Sequence, residues 1–140
     1  MQKFAILAGM LIAIGAPQVR AEGICFASHL QGTYSFVASG TFGGAGFAAA
    51  GYGTYDGNGN VNGVIQASIG GAVSAVLPWT GSYVVNSDCT ATKTITVPGL
   101  GPNGTTATVH FFITAGNAFN ELRFIATDPT TVISGNARRR

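Results

Sequence analysis

Residues 47–69 read FAAAGYGTYDGNGNVNGVIQASI, two alternating runs separated by Asp56-Gly57-Asn58-Gly59-Asn60. A segment this rich in Gly and Asn is a turn, because these residues enter left-handed backbone at little cost. Folding the chain back about it sets Phe47 opposite Ile69, Ala49 opposite Ala67, Gly51 opposite Ile65 and Tyr55 opposite Val61. The alternate residues then pair Thr54 with Asn62 and Ala50 with Gln66. A slip of one residue would destroy this segregation, so burial of one face specifies the register. The segment reads as a β-hairpin with its apolar face on a core.

Outward from this hairpin the same pattern continues. After residue 28 no apolar period of 3.6 residues is present, and Gly-, Pro- or Asn-rich punctuation arrives about every 8 to 12 residues, the spacing of all-β sandwiches and barrels. Eight strands are predicted, at 33–39, 47–55, 61–69, 73–85, 90–97, 105–114, 119–127 and 131–137. A two-residue Gly116-Asn117 turn sets Val109 opposite Phe124 and Phe111 opposite Leu122, with His110 beside Arg123 on the outer face. A turn at Asp128-Pro129-Thr130-Thr131 sets Phe124 opposite Gly135 and, outside, Arg123 beside Asn136 and Glu121 beside Arg138. Pro78 has no N–H for a ladder and marks an edge, a bulge or a break, which leaves the faces of Trp79 and Tyr83 open. The expected fold is all-β, an eight-stranded antiparallel up-and-down barrel in which the first strand pairs with the last and no edge stays exposed. Gly51, Gly53, Gly63 and Gly81, inside strands, fit tight coiling at barrel corners.

The N-terminus reads differently. Lys3 precedes an apolar run at residues 4–16, and small residues lie at −3 and −1 if cleavage follows Ala21. That is the form of a secretory signal peptide over residues 1–21, leaving a single barrel domain at 22–140. The run is too short to span a bilayer, which needs roughly 20 apolar residues, so no membrane span is expected after cleavage and the mature protein is expected to be secreted or periplasmic. An oxidising compartment permits disulfides, and the chain holds one pair of cysteines, Cys25 and Cys89, so a bridge between them is expected. Only 9% of the residues are charged, against about a quarter in an average soluble protein, so Thr, Ser, Asn and Gly must cover the surface. With Lys3 and Arg20 in the leader, Lys93, Arg123 and Arg138 to Arg140 balance Glu22, Asp56, Asp88, Glu121 and Asp128. Three of the cations sit in a terminal run that reads as a solvated tail, so nucleic acid is offered no basic face.

Gly32-Thr33-Tyr34-Ser35-Phe36, Tyr55-Asp56-Gly57-Asn58-Gly59-Asn60, residues 80–89 (TGSYVVNSDC) and Phe124-Ile125-Ala126-Thr127-Asp128 together resemble a widespread group of small exported bacterial proteins. The resemblance runs over nearly the whole mature chain. It implies an eight-stranded barrel of the broad lipocalin and allene oxide cyclase kind, and it implies no activity. Gly43-Gly44-Ala45-Gly46-Phe47, with Ala50-Gly51, is similar to the Gly-rich segment of allene oxide cyclases and dirigent proteins.

Catalytic constellations are sparse. Nucleophilic catalysis needs a Ser or Cys beside a His, but His29 precedes the first strand and His110 reads as an outward strand residue. Asp56, Asp88 and Asp128 each follow a strand, where Asp bonds nearby backbone N–H groups. Asp56-x-Asn58-x-Asn60 opens like a calcium loop, but Val61 and Ala67 replace its Gly and terminal Glu. No catalytic residue, metal or cofactor is expected. Asn103-Gly104-Thr105 is a glycosylation sequon, without meaning in a bacterium. Lys93, the sole lysine after the leader, alternates with Ala91, Ile95 and Val97, placing a cation on an apolar face. It either reaches water at the barrel mouth, or lies on an outer face, or stands at the rim of an apolar pocket suited to the acid group of an amphipathic ligand.

The function expected is a non-enzymatic binder of a small apolar or amphipathic ligand, with Tyr34, Phe36, Lys93, Phe111 and Phe124 as ligand-binding residues. The alternatives are a structural or surface-interaction protein with a filled barrel and a cyclase or isomerase of allene oxide cyclase type. Cavity volume discriminates them, since a ligand needs a few hundred Å³. No motif specifies an oligomeric state. Exported protein is expected to have an intact mass that starts near Glu22 and rises by two hydrogens on reduction; two alkylatable thiols without reductant would refute the bridge, whose loss in Cys89→Ser is expected to cost about 2 to 5 kcal/mol.

Overall fold

The computed structural model describes residues 24–140; the expected signal peptide, with Lys3 and Arg20, and Glu22 lie outside the described residues. The strands are β1 (Gln31–Phe42), β2 (Ala45–Asp56), β3 (Asn60–Ile69), β4 (Ala72–Val73), β5 (Leu77–Val85), β6 (Thr90–Val97), β7 (Ala107–Gly116), β8 (Glu121–Ala126) and β9 (Thr131–Arg139), with 3-10 turns at Ala27–His29 and Pro102–Gly104. Neighbouring strands pair antiparallel in chain order except at β4, a two-residue spur on β3 that β3 bypasses to pair with β5, and β1 pairs with β9. The result is a closed eight-stranded antiparallel barrel.

The β2–β3 hairpin has the register read from the sequence, from Phe47 opposite Ile69 to Tyr55 opposite Val61. Asp56 shapes its turn, accepting from the N–H groups of Asn58 (2.7 Å) and Asn60 (3.0 Å). The β8–β9 register also holds, and Glu121 meets Arg138 at 2.8 Å.

The β7–β8 register departs from expectation. Phe111 lies opposite Ala126 and Ile113 opposite Phe124, four residues along β8 from the predicted partners. The connection is not a two-residue Gly116-Asn117 turn: Asn117, Ala118 and Phe119 all take left-handed φ of 54° to 66°. This longer turn swings Phe119 back over the barrel end, where only 7% of it stays exposed. Burial of that ring outweighs the strain of the turn, and because the shift is even the faces survive. Val109 and Phe111 point inward and His110 outward, but His110 is beside Asp128 (2.7 Å) instead of Arg123.

Around Pro78 the chain resolves into a break at residues 74–76, with Pro78 opposite Val64 and beyond the last residue paired to β6. Proline offers no donor there, and Trp79 compensates by donating its indole Nε1 to the Val64 carbonyl at 3.0 Å. Trp79 and Tyr83 therefore face the core. The corner glycines are sterically required. A Cβ on Gly63 would stand 1.8 Å from the Tyr52 carbonyl oxygen, and one on Gly51 would stand 2.1 Å from that of Val64.

One end of the barrel is sealed. Leu30, Phe119 and Leu122 close it, and the Cys25–Cys89 disulfide, with Cα atoms 5.1 Å apart, ties the incoming chain to the β5–β6 turn. The terminal arginines are not a free tail, contrary to expectation. β9 runs through Arg139, whose Nη2 donates to the Tyr34 hydroxyl at 2.9 Å, and Arg140 lies over the Tyr52 ring at 5.1 Å. Gly63→Ala is expected to lower stability by roughly 1 to 3 kcal/mol through overpacking, whereas Gly46→Ala, with open space and ordinary φ, should stay within about 0.5 kcal/mol. Urea melts of the two variants check the corner geometry.

Candidate functional site

The apolar faces of all eight barrel strands converge on one interior, and the sequence puts a single cation there. Lys93 lies at the middle of β6, opposite Tyr83 on β5 and Phe111 on β7. Its ammonium is surrounded by aromatic rings, with Nζ at 5.4 Å from the centroids of Tyr55, Trp79 and Phe111 and 5.5 Å from that of Phe124. Nζ donates to the Tyr55 hydroxyl at 2.8 Å. The salt bridges among the described residues are His110–Asp128 and Arg138–Glu121, both on the outside, so Lys93 has no carboxylate partner. The partial exposure it retains faces the cavity that it lines. Lys93 therefore neither snorkels at the mouth nor lies on an outer face.

Three tyrosines form a layer beneath it. Tyr55 makes edge contacts with Tyr34 (5.3 Å) and Tyr83 (5.2 Å). Tyr34 and Tyr83 send their hydroxyls toward the sealed end, to the carbonyls of Phe119 and Leu30. Tyr55 sends its hydroxyl the other way, toward Lys93, and among the described residues no group accepts its own proton. Burial raises the Tyr34, Tyr55 and Tyr83 phenols above their ordinary range, with the nearby Arg139 partly offsetting this at Tyr34. Burial acts oppositely on Lys93, lowering its pKa from 10.5 to about 8.

Above Lys93 the interior holds a narrow void of about 50 Å³, lined by Phe36, Ala38, Ala49, Ile65, Phe124 and Ala137 among others. That volume holds a water or two and is well short of the few hundred Å³ expected of a ligand pocket. Phe42 and Leu100 line both this void and a shallow basin at the mouth, formed with Gly43, Ile69, Val73 and Pro102. The two side chains thus stand between interior and solvent.

Of the residues read from the sequence, Tyr34, Phe36, Lys93, Phe111 and Phe124 all line the interior. Sequence reasoning missed Tyr55 and Trp79 as partners of Lys93. Tyr55 was legible as inward from its hairpin, but Trp79 was hidden by the break at Pro78. Asp56 and Asp88 bond backbone N–H groups within their own turns as expected, whereas Asp128 instead reaches across to the N–H and imidazole of His110 on β7. Bonds from Asn60 and Asn58 hold Asp56 below the usual carboxylate range, and those from Thr90 do so for Asp88. At Asp128 partial burial acts upward, but bonds from His110 outweigh it and the net shift is downward.

No protein-family model and no curated protein matches the chain. Solved structures do. The barrel is similar to a redesigned beta barrel, mFAP1, bound to DFHBI, with a TM-score of 0.58 and 19% identity over 81% of this chain and 97% of that one. A second redesigned barrel, mFAP0, also bound to DFHBI, has a TM-score of 0.55 and 21% identity over 79% of this chain and 99% of the other. EF1p2_mFAP2b bound to DFHBI gives 0.58 and 16%, covering 83% and 100%. At these identities the likeness is one of fold. Among the described residues no helix is long and apolar enough to cross a membrane.

The buried ammonium has a consequence for stability. With its pKa at about 8 folded and about 10.4 unfolded, Lys93 releases its proton from the folded state first, so stability rises with pH from about 8 upward. Lys93→Met is expected to flatten that rise between pH 8 and about 9.5, before tyrosines titrate. At pH 7 it removes a desolvation cost on the order of 3 kcal/mol, less whatever the ring contacts return. Denaturant melts across this range check both; a variant that loses stability at pH 7 would show that the ring contacts outweigh the burial cost.

Proposed function

We propose that the protein is an exported, non-enzymatic binding barrel whose interior takes a small amphipathic molecule, with Lys93 receiving its acid group and the apolar channel its tail. The observation that carries this reading is the unpaired ammonium of Lys93, enclosed by Tyr55, Trp79, Phe111 and Phe124 beneath an apolar void. A barrel built only to be filled gains nothing from a buried cation, because an apolar side chain of similar length packs the same space without the desolvation cost. A carboxylate supplies the missing counter-charge, and the idle Tyr55 hydroxyl is placed to donate to the same group. The bound DFHBI in barrels of the same fold supports an interior of this kind taking a small molecule.

The void of about 50 Å³ accommodates the head of such a ligand and little more. Entry of the tail therefore requires Phe42 and Leu100 to turn aside, and short or slender chains fit best. The same volume favours a second reading, a structural barrel filled by its own side chains, with Lys93 satisfied by the rings and Tyr55 alone.

The chain carries its own reporter, since its one tryptophan is Trp79, against Lys93. Titration with alkanoates from butanoate to dodecanoate at pH 7 should change Trp79 emission saturably, and affinity should fall as pH rises through 8 and the ammonium is lost. Since Lys93→Met removes a charge-assisted hydrogen bond, its binding is expected to be about 10-fold weaker or more. Absence of saturable binding across the series would leave the filled, structural barrel as the reading.

A further inference from the structure

We propose that Lys93 is a nucleophilic amine that captures a small apolar aldehyde as an imine inside the barrel, with Tyr55 managing the proton. This rests on the reading that the interior admits a small ligand, and it names a second chemical class for that site. The geometry supplies what amine addition to a carbonyl requires. The amine stands at the floor of an apolar, largely enclosed space, where a neutral carbonyl compound enters without shedding a charge's hydration. A phenol at 2.8 Å has a free proton and reaches the same point.

Among the described residues the groups that face Lys93 are uncharged, so burial, which favours the neutral amine, is opposed only by the ring quadrupoles and the Tyr55 hydroxyl. From β2 comes Tyr55, backed by Tyr34 of β1 and Tyr83 of β5, all three held protonated by burial. From β5, β7 and β8 come the uncharged rings of Trp79, Phe111 and Phe124. The tyrosines behind Tyr55 meet charged groups at the sealed end, Arg139 on the Tyr34 hydroxyl and Asp56 on the turn beside Tyr83. With burial lowering its pKa to about 8, roughly one Lys93 in ten is neutral at pH 7, against about one in three thousand for an ordinary lysine.

The step balances without any other reagent. The Nζ lone pair attacks the carbonyl carbon while the C=O pair moves to oxygen, and transfer of one Nζ proton to that oxygen gives the carbinolamine. Tyr55 then protonates the hydroxyl, the C–O bond breaks as nitrogen forms the C=N bond, and water leaves. The phenolate retrieves the remaining Nζ proton, so aldehyde and amine have become imine and water.

The sequence makes the test clean, because Lys3 and Lys93 are its lysines and Lys3 lies in the expected leader. Folded full-length protein is incubated with hexanal and cyanoborohydride, and adducts are located by peptide mass mapping, alongside Trp79 titrations with hexanal and hexanoate. The expected result is a reduced adduct at Lys93, formed tens of times faster at pH 7 than on N-acetyl-lysine, with a rate rising to a plateau above pH 8 and lost at that position in Lys93→Met. Saturable Trp79 changes without an adduct at Lys93, or an adduct no faster than on the free amine, would overturn the imine and leave the binding barrel standing. Neither binding nor adduct would overturn both.

Discussion

The pairing of β1 with β9 is the constraint on which the rest of the molecule depends. It removes the last free edge, and with the edge goes the ready template for pairing with another chain. Closure at eight strands also sets the diameter, and an interior of that size is one that side chains nearly fill. The cost is sharp coiling, which brings backbone carbonyls of neighbouring strands to within about 2 Å of where a side chain would begin. Glycine at Gly51 and Gly63 is what lets the sheet turn there. The disulfide acts on the same end of the problem by anchoring the segment that enters β1 to the turn between β5 and β6.

Much of this was legible in the chain because alternation and burial agree. In the β2–β3 hairpin every inward position is apolar or glycine, so one register satisfies the pattern and the structure adopts it. The β7–β8 turn was misread because a Gly-Asn pair is a good local turn signal, while the tertiary gain of burying Phe119 is invisible to local rules. Trp79 was undetermined for a related reason. Its face depends on how many residues the break before Pro78 consumes, which shows only in the pairing across strands, where Pro78 falls opposite Val64 and the indole bonds the Val64 carbonyl. The arginine end was misread because a terminal run of charge is solvated by default, whereas Tyr34 supplies Arg139 with an acceptor and a ring.

Lys93 shows where sequence reasoning stops. Alternation alone placed it among Ala91, Ile95 and Val97, but its surroundings come from four other strands and no pairwise rule assembles them. Tyr55 and Trp79 reach it from β2 and β5, Phe111 and Phe124 from β7 and β8. The quadrupoles of these rings replace part of the lost hydration, while burial lowers the pKa to about 8, a value at which the amine stays mostly charged near neutrality.

Lys93 stands at the boundary between two layers. Beneath Lys93, Tyr34 and Tyr83 are satisfied, since they spend their hydroxyls on the segments that seal the barrel. Above it the lining is aliphatic and aromatic and offers no acceptor beyond Tyr55 itself. A cation at this boundary is held by the rings from the side but lacks a partner in the direction of the mouth, the one direction from which Phe42 and Leu100 admit anything. The asymmetry is the physical content of the functional reading: the closed end is complete in hydrogen bonds, the open end is not, and the deficit consists of one ammonium and one phenol proton aimed at the same small space.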